Sequence, residues 1–380
     1  MLKIGKIYTA EAGDSVRLCA DVSMNGRGTT LWFSLAKEQA HFFCTERSDA
    51  FVMVMLPTAM RAKMDIFCEI PMSKRLHYQL EHYFVPTLAS LGTTYHKIKL
   101  NVPYTDEPIE NLGYVGTGFS GGVDSLYTIM THGRDCEYPV THLTHFNAGV
   151  FEGLGGHKGF EKSCEGARRF AKEMGMEFVA VDTNIYEIIP KRYLDEYSFR
   201  NIACAMALQN AFSVYVLSDG RGAVNFSFDM HNSDSYDLLT VNCTQTESMS
   251  IHLCGIEVRR RDKIEALSKW QPAYGWLHSC TRTYVGQKNC GHCKKCIRDQ
   301  VSLYALGALE KFAPVYDVEL FKERLAQNIA FVRAHRSSVQ SQEAVQLLNE
   351  RNIKIPHAAY IYEKQFRVAM ENLEKQKAQE

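Results

Sequence analysis

From Tyr114 onward, short dense apolar runs alternate with longer stretches in which apolar residues recur at helical spacing. That rhythm predicts parallel strands covered by helices on both faces. YVGTGF predicts a strand, VDSLYTIMTHG the first turns of a helix, and VTHLTHF a second strand. A helix over 158–174 follows, with Phe160, Cys164, Ala167, Phe170, Ala171 and Met174 on one face. Next come a strand EFVAVDTN, a nearly all-apolar helix RNIACAMALQNAFSVYVL, a strand AVNFSF, and SIHLCGIEV. The Ile202 to Leu217 stretch of that helix is expected to lie buried in the sandwich.

Residues 1–112 read as a separate, smaller α+β domain. TTLWFSLA, HFFCTE, AFVMVMLP and KMDIFCEIP predict strands, and SKRLHYQLEHYFVPTLASL predicts a helix. The polar, Pro-containing stretch VPYTDEPIENLG at 102–113 reads as a linker. Residues 301–380 read as a helical extension: ELFKERLAQNIAFVRAH and SQEAVQLLNER are amphipathic, and AYIYEKQFRVAMENLEKQKAQE closes as a charged, fraying helix. Bundle packing against the sheet domain and a homodimer contact are equal readings of this tail.

Composition narrows the function classes. With 46% hydrophobic and 23% charged residues, the 380-residue chain reads as an ordinary soluble globular protein. The 43 basic residues balance 43 acidic ones, so no bulk field favours nucleic acid or an anionic membrane. A local patch stays open: Arg259, Arg260, Arg261 and Lys263 could hold phosphate or RNA, or form a solvated helix face. No apolar run reaches membrane-spanning length, and MLKIGKIYTAEAGD carries charges where a signal peptide needs its apolar core. The expected location is the cytoplasm. There, the scattered Cys19, Cys44, Cys68, Cys136, Cys164, Cys204, Cys243 and Cys254 read as small buried hydrophobes.

The stretch VGTGFSGGVDSLY, residues 115–127, matches three motifs at once. Gly116, Gly118 and Gly121 fit a dinucleotide fingerprint, but the second strand ends in His145, Phe146 and Asn147, without the acid that would hold a ribose. Gly118, Ser120 and Gly122 fit a nucleophile elbow, but no oxyanion segment precedes Ser120, and His335 and His357 lie in helical sequence. The third match is SGGVDS, residues 120–125. Gly121 and Gly122 let backbone amides approach an anion, Ser120 and Ser125 offer hydroxyls, and a helix starting near Val123 points its positive end at the ligand. Asp124 would repel phosphate unless a cation lies between, so its natural role is to hold Mg²⁺ on the departing pyrophosphate. In this hexapeptide the chain resembles the PP-loop ATP pyrophosphatases. That resemblance implies ATP adenylating a carboxylate or carbonyl oxygen, loss of pyrophosphate, and displacement of AMP by a nucleophile.

SCTRTYVGQKNCGHCKKC sets Cys280, Cys290, Cys293 and Cys296 at the spacing C-x9-C-x2-C-x2-C on a turn-rich segment. Four thiolates so placed suit a closed, structural Zn²⁺ site, with an iron–sulfur cluster as runner-up and His292 as a loop residue rather than a further ligand. The loop followed by this cluster resembles the QueC family of 7-cyano-7-deazaguanine synthases over residues 113–300. RNIACAMALQNA is similar to the family's Arg-Asn helix start, and DSYD at 234–237 to its Asp-containing substrate segment. The resemblance implies a Rossmann-like sheet, ATP, Mg²⁺, zinc on the four cysteines, and adenylation of a 7-deazaguanine carboxylate followed by attack of ammonia. Two departures stand out. FNAGVFEGLGGHKG replaces the family's Tyr-Gly-Gln-Arg-His run, and Ser235, Tyr236 and Asp237 lack the following Cys-Arg. Relatives in bacterial antiviral defence combine such a core with extra domains, so residues 1–112 could present a protein partner carrying the amine.

The candidate site residues are therefore graded by role. Ser120, Asp124 and Arg200 are the catalytic candidates, and Ser120, Gly121, Gly122, Val123, Asp124 and Ser125 hold ATP and pyrophosphate. Asn147, His157, Lys158, Asn201, Asp234 and Asp237 are substrate candidates; of these, His157 and Lys158, with Arg200, follow strand ends at the sheet's carboxyl edge, where they could supplement the phosphate amides. The expected substrates are a small deazapurine acid and ammonia or an amine, with no membrane or nucleic acid partner. Two other readings remain: a tRNA-thiolating enzyme and a non-catalytic nucleotide-binding scaffold.

Overall fold

An antiparallel meander of β1 (Leu2–Ala12), β2 (Ser15–Met24) and β3 (Arg27–Ala36) opens the chain. Asn25 and Gly26 join β2 to β3 with φ of 51° and 77°, the mirror-image turn whose twist matches a two-residue hairpin. The structure, a computed structural model, describes residues 1–190 and 192–377. The short strands β4 (Ile66–Cys68), β5 (Met72–Ser73), β6 (Leu100–Asn101) and β7 (Tyr104–Thr105) follow. Then come β8 (Tyr114–Gly118), β9 (His142–Phe146), β10 (Glu177–Thr183), β11 (Phe212–Ser218) and β12 (Ser250–Cys254).

Ten of these strands form one mixed sheet in the order β12-β11-β8-β9-β10-β3-β2-β1-β4-β6, and β5 pairs separately with β7. The run from β12 to β10 is parallel, as the alternation of strand and helix requires. All five residues of β9 are buried, which is what a strand covered on both faces demands. The meander joins this sheet through an antiparallel pair, Asp182 opposite Ser34 and Thr183 opposite Phe33. Residues 1–112 and the parallel strands therefore share one sheet.

Two compact units divide the chain: residues 1–119 with 131–257, and residues 120–130 with 258–380. The ten-stranded sheet lies wholly in the first. In the second, the helices Arg260–Leu267, Lys294–Ala305, Leu325–Ala334, Val339–Glu350 and His357–Lys377 bury Ile264, Val301, Ile329, Val332, Leu347 and Leu348. Arg333 Nε donates to Glu363 Oε2 at 2.6 Å, tying the last helix to its neighbour. The final three residues of the expected tail helix lie outside the described residues.

Four elements differ from the sequence expectation. AFVMVMLP lies inside the helix Asp49–Ala62, with every residue from Asp49 to Pro57 buried. A helix buried on all sides has no polar face, so its pattern imitates a central strand. HFFCTE forms no strand; Lys37–Phe42 is a 3₁₀ helix followed by irregular chain. RNIACAMALQNAFSVYVL splits: the helix Tyr193–Met206 ends, a turn follows, and Phe212 starts β11. Gln209 and Asn210 mark the break, donating to Asp49 Oδ2 at 2.9 Å and to the Phe43 carbonyl at 2.7 Å. AVNFSF is no strand either: Ala223–Asn225 is a 3₁₀ turn, with Val224, Phe226 and Phe228 exposed. β12, within SIHLCGIEV, forms one edge of the sheet.

Candidate functional site

The chain leaves β8 at Gly118 and turns sharply through the glycine loop before the helix Val123–Thr131. Gly121 sits at φ 72°, a left-handed conformation, and a Cβ there would meet His278 Cβ at 2.9 Å and the Trp276 carbonyl oxygen at 3.2 Å. Glycine is required at this position both by conformation and by space. The His278 N–H donates to the Gly121 carbonyl at 2.7 Å, which fixes the loop from behind. Ser120 Oγ accepts from the Gly122 N–H at 3.3 Å and lies 3.2 Å from Ser125 Oγ, which donates to the Gly122 carbonyl at 3.1 Å. Both hydroxyls thus sit at the start of a helix whose first amides have no partner within the helix. No histidine is hydrogen-bonded to Ser120 among the described residues, so the elbow reading lacks its general base.

Asp124 is held by two cations. Arg260 Nη1 donates to its Oδ2 at 2.7 Å, and Lys263 Nζ to its Oδ1 at 3.3 Å. Arg260 Nη2 reaches the buried Asp299 at 3.3 and 3.4 Å. Burial opposes the charge on Arg260, but Asp299 and Asp124 outweigh it and raise its pKa. Lys263 is also buried and places its ammonium 5.8 Å from the centre of the Tyr127 ring. Of the basic run, Arg259 alone fits the solvated-face reading, pairing with Asp262 at 3.0 Å; Arg261 is largely covered and pairs with Glu350 at 2.7 Å. Arg260 and Lys263 turn inward to the loop carboxylate.

The four cysteines converge in the same unit. Their Sγ atoms lie within 4.8 Å of one another, and three of the four residues are buried. Cys293 caps the helix Lys294–Ala305, its sulfur accepting from the Cys296 N–H at 3.5 Å, while Cys290 Sγ accepts from the Cys293 N–H at 3.4 Å. Gly291, at φ 74°, makes the turn between them. Cys293 Sγ lies 3.3 Å from Cys296 Sγ, and this contact pushes the Cys293 thiol down to about 4 and that of Cys296 up. Buried sulfurs gathered this closely form a donor set that suits a tetrahedral metal such as zinc. His292 is exposed, its ring nitrogens facing the Cys290 carbonyl at 2.7 Å and Arg282 Nη1 at 2.8 Å, and it is not one of the grouped ligands.

The remaining candidates lie in the first unit. Arg200 is fully buried; it pairs with Glu196 at 2.9 Å and donates to the Ile189 and Ala148 carbonyls at 2.7 and 3.4 Å. Its guanidinium braces the core rather than reaching solvent. Asn201 Nδ2 donates to Tyr197 O of its own helix at 2.7 Å, and Lys158 is exposed. Asp234 pairs with Arg221 at 2.7 Å. Asp237 accepts from the Ser198 hydroxyl, and burial pushes its carboxyl up to about 7.

Asn147 and His157 do come together, on a residue the sequence reading passed over. Asp182, in β10, accepts from Asn147 Nδ2 and faces His157 Nδ1, both at 2.6 Å, and Glu187 lies 2.9 Å from the other ring nitrogen. Despite partial desolvation, the two carboxylates raise the His157 pKa. Trp32 from β3 stacks on this imidazole with ring centres 5.7 Å apart. The signal available in the sequence was the acid near the end of the apolar run EFVAVDTN. Asp299 was likewise passed over, because nothing near it in the chain marks it as a partner of Arg260.

Compared with known proteins, the chain matches no family model, no curated protein and no solved structure.

Proposed function

We propose that this chain is an ATP-dependent enzyme that cleaves ATP between the α and β phosphates to adenylate a carboxylic acid, and then transfers the acyl group to ammonia or an amine. The observation that carries this reading is the SGGVDS loop itself: left-handed at Gly121, with two serine hydroxyls at a helix start and Asp124 set between Arg260 and Lys263. A triphosphate lying on such a loop meets backbone amides, two hydroxyls and two fixed cations, and the departing pyrophosphate gains negative charge where those cations sit. In the first step a carboxylate oxygen attacks the α phosphorus and the bond to the bridging oxygen breaks, releasing pyrophosphate. In the second, the amine nitrogen attacks the acyl carbon and AMP leaves with the electron pair.

Each Asp124 oxygen accepts one bond from a protein cation, which leaves lone pairs for Mg²⁺. Mg²⁺ held there would neutralise the β and γ phosphates. Zinc on Cys280, Cys290, Cys293 and Cys296 would be structural, since four protein ligands leave no open position. The acid we favour is a 7-deazaguanine carboxylate, on the combined resemblance of the loop and the cysteine spacing to the QueC family. An antiviral defence setting, with residues 1–112 presenting a protein amine, follows from the same resemblance.

The test is product analysis with ATP, Mg²⁺ and 7-carboxy-7-deazaguanine. AMP and pyrophosphate are expected; ADP and phosphate would overturn the mechanism.

A further inference from the structure

The short segment Leu277 to Cys280 touches the cysteine cluster and the glycine loop at once. Cys280 is one of the four grouped thiols. Two residues earlier, the His278 N–H donates to the Gly121 carbonyl at 2.7 Å, and the His278 Cβ would meet any Cβ at Gly121 at 2.9 Å. Between them, the Ser279 hydroxyl donates to Asp299, which receives Arg260, which in turn holds Asp124 at 2.7 Å. Asp299 stands three residues after Cys296, on the same face of the helix Lys294–Ala305. Both routes from the loop therefore end on metal-ligating cysteines.

Asn289 joins the two ends of the cysteine loop. Its Oδ1 accepts from the Ser279 and Cys280 N–H groups, each at 3.0 Å, and its Nδ2 donates to the Leu277 and Val315 carbonyls at 2.8 and 3.1 Å. The side chain is buried and directly precedes Cys290. A buried amide satisfied on both ends behaves as a rigid cross-tie.

Building on the ATP reading above, we infer that Ser279, Asn289 and Asp299 form a strut through which a metal on the four cysteines positions Arg260 and Gly121, and so sets the affinity of the loop for the phosphates of ATP. Without metal, residues 280–296 are held by thiol contacts, the Asn289 cross-tie and polar contacts such as that of Arg282 Nη1 with His292 Nε2 at 2.8 Å. Metal binding adds the constraint that fixes Cys280 against Cys296, and with it the two residues that brace the loop. Asp299 and Asn289 are positioning residues: they touch Arg260 and the loop's support, not the nucleotide.

Titration calorimetry with MgATP, with inorganic pyrophosphate and with adenosine tests this, using the full chain zinc-loaded and after zinc removal, and zinc-loaded Asp299→Asn. The expected result is that zinc removal and Asp299→Asn each weaken MgATP and pyrophosphate about tenfold or more, while adenosine, which lacks phosphates, keeps its affinity. Circular dichroism checks that the metal-free chain stays folded; if it does not, Asp299→Asn with zinc still bound decides alone. Unchanged pyrophosphate and MgATP affinity in Asp299→Asn would overturn the strut while leaving the ATP reading standing. No binding of MgATP or pyrophosphate to the zinc-loaded wild type would overturn the ATP reading, and the strut with it.

Discussion

Arg260 Nη1 lies 2.7 Å from Asp124 Oδ2, so a residue of the helix Arg260–Leu267 neutralises the one acid of the glycine loop. The pair explains how a carboxylate can sit where phosphates are proposed to bind. It also makes Arg260 a shared partner, since its Nη2 serves the buried Asp299. Arg260→Ala leaves Asp299 buried without its guanidinium, and breaking such a pair costs about 3–5 kcal/mol. Arg260→Lys keeps the charge but cannot span both carboxylates, so it should lose less stability. Chemical denaturation of both variants checks the order.

Asp124→Ala removes the acceptor of both Arg260 and Lys263. The expected outcome is loss of pyrophosphate release together with some loss of stability, because the buried Lys263 and the half-buried Arg260 each lose a carboxylate partner. Turnover equal to wild type, measured by coupled pyrophosphate detection, would remove Asp124 from the site.

Gly121→Ala places a Cβ 2.9 Å from His278 Cβ on a backbone at φ 72°. The strained conformation costs about 1–3 kcal/mol, and the clash displaces the segment that braces the loop. Weaker MgATP binding and a lower melting temperature are expected, while Gly122→Ala, whose Cβ would meet only Ser120 Oγ at 3.3 Å, should be milder. Calorimetry of the two variants side by side measures the difference.

Cys293→Ser removes a ligand while keeping a side-chain acceptor at the N-cap of the helix Lys294–Ala305. Metal content should fall from about one equivalent of zinc per chain toward none, with a lower melting temperature. Elemental analysis of the purified variant checks the first, and a thermal scan the second.

Burial raises the Asp237 carboxyl from 3.8 to about 7 and that of Asp49 to about 6. A folded carboxyl that holds its proton more tightly than the unfolded one favours folding at low pH. Its contribution is fully present below the unfolded value of 3.8 and is lost as pH rises through about 7. Asp237→Asn, which mimics the protonated form, should flatten this fall, by roughly 1–4 kcal/mol between pH 4 and 7. Urea melts across that range read the slope directly.

The parts of the fold and candidate site that the sequence made legible are those that lie contiguously in it. SGGVDS and the cysteine spacing are single short stretches, and the alternation after Tyr114 foretold β8, β9, β10 and β12, where each element keeps its own period, but not β11. AFVMVMLP was illegible because Asp49–Ala62 is buried on every side, and the helix-to-strand change inside RNIACAMALQNAFSVYVL was hidden because both halves are apolar. Asp299, Ser279 and Asn289 carry no motif of their own. They matter only because folding brings them between Arg260 and the cysteines, a long-range consequence that local pattern does not encode. Arg200 shows the converse: a cation in a motif-like stretch that Glu196 and the core claim for packing.

The central claim is that ATP is cut between its α and β phosphates. Following ATP labelled in the α phosphate, with Mg²⁺, zinc-loaded protein and 7-carboxy-7-deazaguanine, tests it most directly. Label in AMP and an equal yield of pyrophosphate are expected, both abolished in Asp124→Ala. Label recovered in ADP would contradict it.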